Sequence, residues 1–162
     1  MRINDLGFMF IKLTNDNVYT EYLNTVRDFI DNNPLNQIVI FNSYNEKINT
    51  NNIPILHLSH GKFFYGDLIL FDLASAMLTN SFPNIKKRYL YLNNIPWLDM
   101  PNNLYSSWRE IFDSENLELI VPNQQLYDIY SICWKSPVGI AQNFTYQDVS
   151  KIICEDKKNA KV

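Results

Sequence analysis

Apolar residues in this chain fall into short blocks of two kinds, and the order of those blocks predicts its elements. Residues 6–13 form a mostly apolar run that reads as a first strand. Asn15 or Asp16 then caps a helix through about residue 31, in which Val18, Tyr22, Val26, Phe29 and Ile30 recur near helical spacing. Asn32-Asn33-Pro34 stops it. Residues 37–41 (Gln-Ile-Val-Ile-Phe) are β-branched and nearly continuous, the pattern of a strand buried on both faces. A polar loop over 45–52 precedes strands over 54–58 and 67–71. Asp72 is placed to cap a helix through residue 80.

The second half alternates more regularly. A strand over 88–92 (Arg-Tyr-Leu-Tyr-Leu) leads to a helix over 104–112, a strand over 117–121, and a helix capped by Asn123 that runs to Cys133. A last strand over 138–141 and a helix opened by Thr145 or Tyr146 through about residue 155 complete the pattern. Strands and helices that alternate across short connections predict a parallel sheet covered on both faces, an α/β Rossmann-like three-layer sandwich. The 162 residues suit one domain over 1–155, with 156–162 as a charged tail expected to fray.

Composition narrows the function. Hydrophobic residues make up 46% of the chain, enough to build a core without a disulfide scaffold. The formal charge of −3 argues against general nucleic-acid binding. Lys86, Lys87 and Arg88 read as a solvated strand edge. No apolar run approaches the ~20 residues of a membrane span, and the amino terminus has no signal-peptide pattern, so no membrane partner and a cytoplasmic location are expected. Cys133 and Cys154 have neither zinc nor disulfide spacing and read as small hydrophobes in a reducing compartment. The four glycines, Gly7, Gly61, Gly66 and Gly139, are too scattered for a Walker loop or a dinucleotide fingerprint, so no cofactor is expected.

Candidate chemistry is sought at the carboxyl ends of the strands, where open α/β sheets bind ligands. These ends comprise residues 42–44, 59–66, 93–97, 122–125 and 142–143. Both histidines lie in or beside the second. His60 is the candidate catalytic base, since imidazole titrates near neutrality. Gly61 would let a ligand approach the backbone, and Ser59, Lys62, Tyr65 and Asn143 complete the expected ligand contacts. His57 is read either as a further contact or as a hydrogen-bonded core residue within a strand. Trp97, after Pro96, is a stacking platform or a packing residue, whereas Trp108 and Trp134 belong to the core. Two histidines alone make no metal site. Asp72, Asp99, Asp128 and Asp148 read as caps, and no serine elbow is present.

A strand ending at His60-Gly61, later strand–helix units, then residues 119–125 (Leu-Ile-Val-Pro-Asn-Gln-Gln) entering a helix, resembles the acceptor-side, amino-terminal half of two-domain GT-B glycosyltransferases. Residues 137–144 (Pro-Val-Gly-Ile-Ala-Gln-Asn-Phe) look like the end of that half. The asparagine-rich style also looks like a small protein of a tailed phage, which would place it in the host cytoplasm. The resemblance spans about residues 36–145. It implies a transferase-like domain that binds an acceptor or partner, with a sugar or nucleotide-sugar as ligand and a donor-domain subunit supplied elsewhere. The competing expectation is a non-catalytic accessory protein that acts by binding another protein through aromatic surface.

Overall fold

The computed structural model describes residues 5–11, 17–43, 53–98 and 105–159. The expected caps Asn15 and Asp16, the polar loop over 45–52, the turn residue Asp99 and residues 160–162 lie outside these, as does the side chain of Val18.

Seven parallel strands form one sheet in the order β3-β2-β1-β4-β5-β6-β7. They are β1 (Leu6–Phe10), β2 (Ile38–Asn42), β3 (Ile55–His57), β4 (Gly66–Leu70), β5 (Ile85–Tyr91), β6 (Leu117–Val121) and β7 (Gly139–Ile140). The helices are α1 (Asn17–Asn32), α2 (Leu73–Thr79), α3 (Tyr105–Phe112), α4 (Gln124–Cys133) and α5 (Tyr146–Asn159). The chain is therefore an α/β Rossmann-like sandwich. β1 sits inside the sheet, and the strand order reverses at the β1–β4 pair.

Strand side chains alternate between faces, so the sheet supports two separate cores. Leu6, Phe8, Ile40, Ile69, Tyr89 and Ile120 pack under α1 and α5. Met9, Phe41, Leu68, Leu90, Leu119 and Val121 pack under α2, α3, α4 and a 3-10 helix over Leu58–Phe63. Two expected caps are present. The Ser75 amide donates to Asp72 Oδ1 at 2.6 Å, and the Leu126 amide donates to Asn123 Oδ1 at 2.9 Å.

Two readings from the sequence are corrected. The run 86–88 is no solvated edge, because β5 lies between β4 and β6. Arg88 points into the α2–α3 core with 1% of its surface exposed. Its guanidinium donates to Asn116 Oδ1, the Ala76 carbonyl, Asn80 Oδ1 and Ser114 Oγ. Lys87 points to the other face, between Asp156 Oδ2 at 2.5 Å and Glu118 Oε1 at 3.3 Å. The expected tail is also structured through residue 159, since α5 continues past 155. Lys157 pairs with the buried Asp67 at 2.5 Å, and Tyr89 donates its hydroxyl to Asp156 at 2.9 Å. Charges read as signs of solvent thus fasten the last turns of α5 to the amino ends of β4, β5 and β6.

Candidate functional site: a pocket under a short crossover

The connection from β3 to β4 determines the site. A parallel crossover usually takes a dozen or more residues and carries a full helix. Here residues 58–65 suffice, with only the six-residue 3-10 helix between the strands. So small an element leaves the edge strand β3 partly uncovered. Phe41 and Leu56, paired neighbours on β2 and β3, border a pocket of about 320 Å3, Phe41 buried against Phe64 and Leu56 40% exposed. His60, Phe63, Phe64 and Tyr65 of the crossover form one wall, and Asp5 and Gln37 complete the lining. The Asp5 carboxylate is held in place by the Gln37 backbone amide, which donates to Oδ1 at 2.8 Å. Phe63 and Tyr65 remain 72% and 64% exposed, because no helix packs over them.

This pocket brings together some of the expected residues and separates others. His60 and Tyr65 share it. It does not open at the carboxyl ends of the strands, however. Asp5, Gln37 and Tyr65 immediately precede β1, β2 and β4, so the opening lies toward the amino end of the sheet. The reason is the crossover's length: by residue 60 the chain is already returning toward the start of β4.

His57 and Ser59 stay at the carboxyl end of β3, outside the pocket lining. His57 is exposed and no core residue. Its Nδ1 meets Ser59 Oγ at 2.9 Å and accepts from the Ser59 amide at 3.3 Å, which caps the 3-10 helix. Gly61 turns inward instead of toward a ligand. A Cβ there would meet Phe82 Cε2 at 2.7 Å and Met9 Cε at 3.2 Å, so any side chain at 61 would push the Phe82 ring aside. Lys62 lies over the Phe63 ring, 4.9 Å from its centroid, and Lys86 lies over Tyr65 at 4.4 Å.

Trp97 lines a different pocket, with Tyr105, Trp108, Cys133 and Trp134. Asn143 is exposed beyond β7, at the opposite end of the sheet from β3. Asn143 does not line the His60 pocket: its neighbour Phe144 packs into the core under α1 and α5, whereas Gly61 beside His60 packs against Met9 in the core on the other face.

The residues that sequence reasoning missed are Asp5, Gln37, Phe41, Leu56, Phe63 and Phe64. One signal pointed to them: an eight-residue link between two strands is too short for a full helix that would have covered Leu56.

The carboxyl-end crevice between β1 and β4, where the strand order reverses, is occupied by the protein itself on the α1 side. Phe10 and Phe71 fill it, with Tyr22, Tyr91 and Phe144 packed around them. Phe144 takes a left-handed backbone (φ 46°), and its carbonyl accepts from buried Thr25 Oγ1 at 2.8 Å.

Among the described residues, no cluster of His, Cys, Asp and Glu could hold a metal ion, and no helix is long and apolar enough to cross a membrane. No known protein family, curated protein or solved structure matches this chain.

Proposed function

We propose that this protein is a binding domain whose ligand is a neutral, sugar-bearing acceptor held in the His60–Tyr65 pocket. The reading keeps the acceptor-binding role that the glycosyltransferase resemblance implies and leaves any sugar donor to a separate chain. The observation that carries it is the lining itself. An exposed tyrosine ring stands beside His60, Gln37 and Asp5 in one concavity of small-molecule size. Sugars present a C–H face that packs on an aromatic ring and a rim of hydroxyls that pair with planar polar side chains. In this reading Tyr65 is the platform, Asp5 and Gln37 are hydroxyl partners, and His60 is the contact able to accept a proton from a bound hydroxyl.

Isothermal titration with a panel of neutral mono- and disaccharides tests this. Saturable binding is expected, weakened about tenfold or more by Tyr65→Ala and by His60→Ala, with each variant melting close to the parent. Both side chains are exposed, so these substitutions leave the core intact. Failure of every sugar to bind would overturn the reading.

A second reading has one specific observation in its favour. Leu56, Phe63 and Tyr65 together expose apolar surface around the same pocket, as a protein-binding accessory module would. Binding of a protein partner that is abolished by Phe63→Ser and unaffected by sugars would favour it.

A further inference from the structure

The second pocket is independent of the first and has different chemistry. Trp97 from the 3-10 turn after β5, Tyr105 and Trp108 from α3, and Cys133 and Trp134 from the end of α4 enclose about 290 Å3. No charged side chain is among these lining residues. The Trp134 indole is the hub. Its ring lies 5.8 Å from Trp97, 5.2 Å from Tyr105 and 5.0 Å from Phe112, and Trp97 in turn sits edge-on to Tyr130 at 5.0 Å. Trp108, Phe112 and Tyr130 are buried, so the back of the pocket is fixed, whereas Tyr105 is 55% exposed and Cys133 is exposed at the rim.

Three features select the occupant. The lining among the described residues carries no charge, so it favours a neutral body over an ion, whose desolvation it would not offset. Faces and edges of several rings favour a flat apolar body. The third is a donor: Trp134 Nε1 is buried and has no hydrogen-bond partner among the described residues. A buried N–H without an acceptor costs free energy, which an acceptor oxygen on a ligand would recover. Tyr105, on the chain surface and leaning on the same indole, is the side chain free to swing aside and admit it.

We infer that this pocket is a binding site for a small neutral aromatic molecule bearing one carbonyl oxygen, with Trp134 as its hydrogen-bond donor and Tyr105 as its movable wall. The pocket's volume suits one ring with a short substituent. The inference does not rest on the sugar reading, because none of these residues lines the His60 pocket.

The experiment uses two probes of nearly equal shape, acetophenone and ethylbenzene, added to the full chain. Two quantities are read: affinity from tryptophan fluorescence, and the alkylation rate of Cys133, located by mass spectrometry. Acetophenone is expected to slow Cys133 alkylation at saturation and to bind about tenfold tighter than ethylbenzene. Trp134→Phe, which keeps a ring and removes the N–H, should abolish that preference. If this variant does not fold, the probe pair on the parent chain decides alone. Equal affinities, or no protection of Cys133 by either probe, would overturn the proposal. So would protection that grows with protein concentration and accompanies a dimer in sedimentation, since the pocket would then belong to a second copy.

Discussion

Phe10, the last residue of β1, and Phe71, the residue after β4, stack face to face with centroids 4.4 Å apart and planes 8° apart. They join the two strands at the reversal of the sheet order, where this architecture most often leaves a ligand crevice. Tyr22 of α1 stacks on Phe71 at 4.5 Å, and Phe144 closes on the same ring at 5.0 Å. The protein uses this position for stability and leaves its concave surface elsewhere.

Truncating the centre of this stack has a clear expected cost. Phe10 is 1% exposed and touches the rings of Tyr19 on α1 and of Phe71 just after β4, so Phe10→Ala leaves a cavity that its neighbours cannot easily close. A loss of about 3–5 kcal/mol in urea unfolding is expected, with Phe10→Leu losing much less. A loss below about 1 kcal/mol for the alanine variant would show that the cluster is loosely packed.

Arg88 gives a second test. Among the described residues its guanidinium meets no carboxylate in an ion pair and satisfies neutral oxygens on α2 and on the turn before β6. Arg88→Ala would strand the buried Ala76 carbonyl, take the donor from the part-buried Asn116 and Ser114 oxygens and empty the volume of a large buried side chain, and a destabilisation of about 3 kcal/mol is expected. Arg88→Lys should recover little of it, because an ammonium cannot span the fork that a planar guanidinium fills. A lysine variant with the parent's denaturation midpoint would refute this account.

Alkaline titration probes the buried tyrosines. Burial raises the hydroxyl pKa of Tyr22, Tyr89, Tyr91 and Tyr130, and pushes Tyr91 up to about 12. Lys87 is also raised: burial alone would lower it, but the Asp156 and Glu118 carboxylates outweigh that effect. The folded state therefore holds these protons more tightly than the unfolded chain, whose tyrosines titrate near pH ~10. The stability they contribute is complete below that pH and is lost as pH climbs through the folded values. The phenolate absorbance of the buried tyrosines should rise together with the loss of helical circular dichroism as pH climbs above about 10. Tyrosines that all titrate at the ordinary value while the helices persist would contradict it.

The layered α/β class was legible along the chain because each element carries its own local cause. Residues 38–41 are apolar without interruption, since both faces of β2 are covered. Asp72 and Asn123 announce α2 and α4 because a capping bond spans only three residues. His60 and Tyr65 could be singled out because they lie in one segment. What surrounds them could not, since Asp5 and Gln37 are distant in sequence and reach the pocket only through strand order. The same holds for 86–88, where the sequence shows three charges in a row. Only the pairing of β5 between β4 and β6, with α5 across one face, turns Arg88 and Lys87 inward onto partners 28 and 69 residues away. Periodicity, capping and apolar runs are local and survive in one dimension. The filling of the β1–β4 crevice and the opening of a pocket under the short crossover depend on which strands become neighbours, and that was decided in three dimensions.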